Sequence, residues 1–267
     1  MHVVTVEATT IPTTSKMSKM PTKLMSNDWI VPEWPAPASV CSLLTTRQGG
    51  VSQGVFASLN LGDHVGDDPQ AVAENRHLLT YRCAAPVWLD QVHGTRVLDA
   101  GQVSGALRHE ADASFSRKAG VACTVMTADC LPVLICDYAG TVVAAAHAGW
   151  RGLYAGVLER TVAAMDCPGH ALLVYLGPAI GPQAFEVGDE VRDAFVGFDH
   201  EAEVAFKPHG GKWLADLYLL ARQRLARLGV NAVFGGNYCT AGEPERFFSY
   251  RRDGITGRMA SMIWLAA

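Results

Sequence analysis

The chain has 267 residues, 49% of them hydrophobic, enough to bury the core of one large domain or of two closely joined halves. Its formal net charge is -4 with acids and bases mixed, which gives no electrostatic case for nucleic acid or an anionic membrane as partner and makes any phosphate site a local feature. No run of about 18 uncharged apolar residues occurs, so no membrane-spanning helix is expected, and seven cysteines without regular spacing fit a reduced, cytoplasmic protein rather than a disulfide framework.

Residues 1–25 lack an apolar h-region and a small-residue cleavage site, so they are expected to form a disordered tail rather than a secretory signal, with Met20 or Met25 as alternative starts. One domain is expected over 26–267. A strand is expected over Val40 to Thr46, a helix over Pro69 to Tyr81 and a strand over Val87 to Val92. Between the first two, Gly50-Val51-Ser52-Gln53-Gly54 matches the serine-hydrolase elbow pattern. That elbow needs a helix behind it, and the polar, glycine-rich residues up to Gly62 supply none. The segment reads instead as a glycine loop from which Arg47 and Asn60 reach a substrate. Two arginines beside Tyr250, Arg251 and Arg252, are too few for a nucleic-acid stripe; Arg251 is a candidate for the wall of a pocket.

Further along, strands are expected over Ala122 to Met126, Leu131 to Cys136 and Val142 to Ala146, the last two joined by a tight turn at Asp137-Tyr138-Ala139-Gly140. A helix over Arg151 to Met165 follows, with Leu153, Val157, Leu158, Val162 and Met165 at helical spacing. The remaining pattern predicts strands over Leu172 to Leu176, Ala232 to Phe234, Phe247 to Tyr250 and Arg258 to Leu265, and helices over Asp189 to Val196 and Trp213 to Leu228. Hairpins mixed with separate helices make the fold class α+β.

The chemistry concentrates around the hairpin. If Cys136 faces Thr141, then Cys130 faces His147, and opposed residues of an antiparallel pair share a face with Cβ atoms roughly 4.5–5.5 Å apart. His93 closes another apolar segment and is the third member. One thiol and two imidazoles meeting at a point make either a transition-metal site or a Cys/His nucleophilic site; three mixed ligands would leave a fourth tetrahedral position for water or substrate, as in a catalytic zinc site. Asp129, beside the thiol, is a candidate to orient an imidazole or to act as acid/base. Arg151, at the start of the helix after His147, is a candidate anion contact.

The segments Thr45-Thr46-Arg47-Gln48-Gly49-Gly50-Val51-Ser52, Ser58-Leu59-Asn60-Leu61-Gly62, Asp90-Gln91-Val92-His93-Gly94, Thr127-Ala128-Asp129-Cys130-Leu131-Pro132, Ala146-His147-Ala148-Gly149-Trp150-Arg151-Gly152, Gly177-Pro178-Ala179-Ile180-Gly181 and Phe248-Ser249-Tyr250-Arg251-Arg252-Asp253 resemble, in order, the motifs of the YfiH or laccase-domain family. The resemblance implies two mixed β-sheets packed together and flanked by helices. It implies zinc held by His93, Cys130 and His147, and cleavage of purine nucleosides (adenosine, inosine, guanosine, methylthioadenosine) by phosphate, with adenosine deamination beside it. Two other activities attach to the same family: a copper polyphenol oxidase, and a Cys/His hydrolase editing peptidoglycan precursors. The nine histidines show no His-x-His pairing, which counts against several copper centres; one His, Cys, His centre would still accept Cu2+, which outcompetes zinc at most such ligand sets.

Overall fold

Two strands in the middle of the chain are buried along their whole length, Leu131–Asp137 and Val143–Ala148, and the remaining elements are arranged to cover both of their faces. The computed structural model describes residues 28–103 and 109–267; the expected N-terminal tail lies outside them. In chain order the strands are β1 (Val40–Leu44), β2 (Ala85–Val87), β3 (Leu89–Asp90), β4 (Val97–Asp99), β5 (His109–Glu110), β6 (Ala113–Ser116), β7 (Val121–Thr127), β8 (Leu131–Asp137), β9 (Val143–Ala148), β10 (Leu172–Leu176), β11 (Glu186–Val187), β12 (Phe206–His209), β13 (Lys212–Ala215), β14 (Ala232–Gly235) and β15 (Met259–Leu265). The α-helices are α1 (Pro69–Leu79), α2 (Trp150–Ala155), α3 (Val157–Met165), α4 (Asp189–Phe198), α5 (Leu217–Arg227) and α6 (Tyr250–Asp253).

Two mixed sheets carry the fold. One has the order β1-β15-β7-β2, the other β14-β10-β8-β9-β6-β4; antiparallel pairs make up the middle of each, with a parallel pair at one edge of the first and at both edges of the second. Alternation along each strand divides the core into layers. Leu131, Val133 and Ile135 of β8 pack with Leu153, Val157, Leu158, Phe195 and Leu217 of the helices. Leu134 and Cys136 point the other way, into the space shared with Cys123, Val125 and Ile263 of the smaller sheet. On the far side of that sheet Leu43, Ala260 and Met262 meet Leu79 of α1. The layers therefore run helix, sheet, sheet, helix, as the α+β reading expects. No helix among the described residues is long and apolar enough to cross a membrane.

The β8–β9 register differs from expectation. Cys136 pairs with Val143 and Pro132 with His147, two residues away from the pairing of Cys136 with Thr141. The cause is the Asp137 carboxylate, which accepts from the backbone N–H of Thr141 (2.7 Å) and Val142 (3.0 Å) and from Thr141 Oγ1 (2.7 Å), so Thr141 and Val142 belong to the turn and the ladder begins two residues later on that side than expected. A shift of two keeps every side chain on its face, whereas a shift of one would have reversed them all. His147 thus still lies on the same side as Cys130, one step diagonally along the pair.

Other expectations need correction. The strand over Val87 to Val92 is two short strands, β2 and β3, in different sheets. The helix over Arg151 to Met165 is two helices, because Gly156 takes a left-handed conformation (φ 97°) between α2 and α3. Trp213 begins no helix: Lys212–Ala215 is β13, and α5 starts after Asp216, whose side chain caps it by accepting from Leu219 N at 2.9 Å. Phe247 to Tyr250 is not a strand, since Ser249 caps the short α6 by accepting from Arg252 N.

Candidate metal centre and its cavity

His93, Cys130 and His147 meet where the ends of three segments converge, and one donor atom from each lies within 4.8 Å of the others. His147 is the penultimate residue of β9 and is buried. Cys130 is one residue beyond the last pair of the hairpin and is half-buried. His93 follows β3 on an exposed turn with left-handed backbone (φ 59°), a conformation few non-glycine residues adopt and one often held at functional sites. Its Nε2 is 3.7 Å from Cys130 Sγ, and its ring stands edge-on to that of His147 with centroids 4.7 Å apart.

Asp112, just ahead of β6, is the residue that sequence reasoning missed. Its fully buried carboxylate accepts the His147 Nδ1 proton at 2.8 Å, which leaves Nε2 as the atom free to act as ligand. The same carboxylate accepts from the backbone N–H of Val92 (3.2 Å), His93 (2.9 Å) and Gly94 (2.6 Å), while the Asp112 carbonyl accepts from His147 N at 2.7 Å. One side chain therefore fixes two ligand-bearing segments. Only the strand that it precedes could have pointed to it, and β6, four residues long between β9 and β4, carries too few residues to stand out.

The donor set fits a tetrahedral transition metal. With metal–sulfur and metal–nitrogen bonds of usual length, a thiolate and an imidazole on one zinc are about 3.6 Å apart, close to the observed 3.7 Å. The space is also kept open: a Cβ on Gly149 would lie 2.9 Å from both Cys130 Sγ and His93 Cδ2. Burial opposes ionisation of Cys130, but the facing imidazoles of His147 and His93 win and bring its thiol down to about 6. His147 shows the reverse: burial disfavours its charge, yet the Cys130 sulfur and the Asp112 carboxylate raise it to about 9. Burial alone, with no such partner, pushes Cys83 up to about 12.

The cluster forms part of a cavity of about 460 Å³ whose other walls include Gln91, Trp150, Arg151, Phe185, Arg251 and Arg258, a size suited to a small molecule. Of the arginines singled out in the sequence, Arg151 and Arg251 line this cavity. Asp129 lines the cavity too, but its Oδ1 accepts from Thr240 Oγ1 and its Oδ2 from Arg251 N, each at 2.6 Å, so it holds loops while Asp112 orients the imidazole. Arg47 and Asn60 do not line the cavity. The Arg47 guanidinium donates to the carbonyls of Ala57 and Pro244 and lies over the Phe248 ring; buried Asn60 ties Gly62, Asp67 and the backbone of Arg258 together. Both are drawn off by polar groups of the surrounding loops, most of them backbone, that need partners.

The family model described as multi-copper polyphenol oxidoreductase laccase matches residues 41–266. A Pseudomonas aeruginosa protein named as a purine nucleoside phosphorylase is 61% identical over 242 residues, covering 90% of this chain and 99% of that one. The purine nucleoside phosphorylase YfiH of Escherichia coli K12 is 58% identical over 240 residues, 88% and 98% of the two chains. Among solved structures, that of a Neisseria meningitidis protein superposes with a TM-score of 0.87 at 55% identity, over 90% of this chain and 99% of its own. Carrying that fold and the laccase-domain match across nearly its whole described length, the chain belongs to the YfiH family.

Proposed function

We propose that this chain is a zinc-dependent purine nucleoside phosphorylase, converting adenosine, inosine, guanosine or methylthioadenosine and phosphate to free base and ribose 1-phosphate (5-methylthioribose 1-phosphate from the last), with adenosine deamination as a second activity in the cytoplasm. The observation that carries this reading is the His93, Cys130, His147 cluster at one wall of a cavity bounded by three arginines. Bound there, zinc would supply a Lewis acid and an open coordination position.

The protein's own contribution is positioning and charge. In phosphorolysis the C1′–N9 bond breaks, its electron pair leaves with the purine, which takes up a proton, and a phosphate oxygen bonds to C1′. Arg151 and Arg251 lie against Trp150 and Phe185, with guanidinium carbons 4.6 and 5.6 Å from the ring centroids; these surfaces suit a flat base and the polar edge of its sugar. Gln91 is fixed by paired bonds to the Met126 backbone and gives the cavity a rigid floor. Purified protein should release hypoxanthine from inosine only when phosphate is present, and adenosine should be resolved into free base and deaminated nucleoside. Release that ignores phosphate, or turnover of phenols in place of nucleosides, would overturn the proposal.

A second reading is favoured by one specific observation, the Cys130 sulfur 3.7 Å from His93 Nε2 and close to the imidazole of His147 that Asp112 orients. This is also the arrangement of a Cys/His nucleophile with an orienting carboxylate, as a hydrolase acting on peptidoglycan precursors would use. Stoichiometric zinc in protein purified without added metal supports the ligand role; covalent labelling of Cys130 by substrate in metal-free, active protein supports the nucleophile. Copper oxidase chemistry of the multicopper kind needs several centres, and the described residues bring together one such group. That one group would also take up Cu2+.

A further inference from the structure

Three arginines reach the cavity, and they are not equivalent. Arg151 and Arg251 rest on aromatic rings, and Arg251 Nη1 also donates to the carbonyl of Glu186 at 2.9 Å. Arg258 rests on no ring among the described residues. It enters β15 one residue before Met259, its backbone N–H is held by Asn60 Oδ1 at 2.9 Å, and its Nη1 donates to the carbonyls of Thr256 and Gly257 at 3.0 Å each. The stem of the side chain lies across Gly62, where a Cβ would come within 2.8 Å of Arg258 Cγ. A half-buried guanidinium fixed at one nitrogen, at its stem and at its backbone has lost most of its freedom, and its Nε and Nη2 edge has no partner among the described residues. Among the described residues it forms no ion pair.

The surroundings say what would complete it. Arg258 lines the same cavity as His93, Asp129, Cys130 and His147, so the guanidinium faces the space into which the metal-ligand cluster opens. Asp129 has both carboxylate oxygens engaged and offers Arg258 no counter-ion. His64, on the loop after Gly62, lines the same cavity. We propose that Arg258, with His64 beside it, is the subsite for the tetrahedral oxyanion, inorganic phosphate, that attacks the sugar carbon, while Arg151 and Arg251 serve the nucleoside. A planar guanidinium presents two parallel donors to two phosphate oxygens, which a single ammonium cannot do. The assignment rests on the phosphorylase reading for its substrate, but phosphate binding itself can be measured without turnover.

The test uses zinc-loaded full-length protein and inorganic phosphate as the probe, followed by calorimetric titration and by the KM values for phosphate and for inosine. Arg258→Gln should weaken phosphate binding and raise the phosphate KM at least 10-fold, with the inosine KM within 3-fold of the parent and zinc content unchanged. Arg258→Lys should fall between the two. Gly62→Ala, which alters no charge, should weaken phosphate binding by displacing the Arg258 stem, and it keeps the test alive if Arg258→Gln does not fold. Phosphate affinity unmoved in these variants, or an inosine KM that rises while the phosphate KM stays, overturns the assignment. Phosphorolysis by the parent with no sensitivity to Arg258 sinks the subsite and leaves the activity standing; Arg258-dependent phosphate binding with no phosphorolysis of any nucleoside does the opposite.

Discussion

Asp112 links the largest number of groups at the candidate centre, so its replacement is the most informative single change. Asp112→Asn keeps the shape and one acceptor oxygen but removes the charge that balances His147 and replaces an acceptor of Gly94 N–H by a donor. Loss of the partner that orients a metal-ligating histidine costs about 10–100-fold in metal affinity, so competition with a chelator should show zinc weakened by that factor. An unchanged zinc affinity would mean that the hydrogen bond serves only the fold. Gly149→Ala addresses the same point by volume alone: its new Cβ must displace either Cys130 Sγ or His93, each 2.9 Å away. It should lose stoichiometric zinc while the distant core, and with it the far-ultraviolet spectrum, stays as in the parent.

Among the elements, the β8–β9 hairpin sets the geometry of the centre, and its turn is held by the Asp137 side chain together with a left-handed Gly140 whose N–H donates to the Asp137 carbonyl. Asp137→Ala leaves two backbone N–H groups and a hydroxyl without their acceptor, a loss of about 1–3 kcal/mol. Its carboxyl is shifted too: burial acts to raise its pKa, but the donors from Thr141 and Val142 outweigh that and lower it. A depressed folded-state value means that the contribution is complete above the unfolded-state pKa of about 3.9 and disappears as pH falls through the folded value. Denaturant titrations should therefore separate parent and variant fully at pH 7 and progressively less below about pH 4. Gly156 is the other hinge of this region. Gly156→Ala puts a side chain on a left-handed residue (φ 97°), for about 1–2 kcal/mol, visible as a lower denaturation midpoint with an unaltered slope. A spacing pattern reads straight through such a break, because Leu153, Val157, Leu158 and Val162 are buried on one side whether the helix is continuous or not. Trp213 misled for a related reason: its burial comes from β13 pairing and an indole bond to Asp189, both of which lie outside any local period.

At the scale of the molecule, legibility followed the length of the apolar runs. The doubly buried β8, β9 and β10, and the strands β1 and β15, come from apolar stretches that show in sequence, and with the hairpin came the placing of His147 and Cys130 on one side of it. Short strands such as β4, β6 and β11 to β13 did not show, and neither did Asp112, Arg258 or His64, whose meaning comes from neighbours distant along the chain. Asp129 is the clearest case of such long-range coupling: its carbonyl accepts from Ile180 N, its Oδ1 from Thr240 and its Oδ2 from Arg251 N. One residue next to a metal ligand thus closes the loop after β10, the segment before α6 and the start of α6 around the cavity. Asp129→Asn separates these duties, because its amide oxygen can still accept from Thr240 while its NH2 faces the Arg251 N–H, donor against donor. A buried donor left unsatisfied costs about 1–3 kcal/mol, so the variant should be destabilised by that amount and should detach the Arg251 wall. The expected signature is a raised nucleoside KM with a phosphate KM near that of the parent, since Arg258 is held by Asn60, Thr256 and Gly257 and not by Asp129. If both KM values rise together, the cavity walls are coupled more tightly than these bonds imply, and the division of labour between Arg251 and Arg258 fails with it.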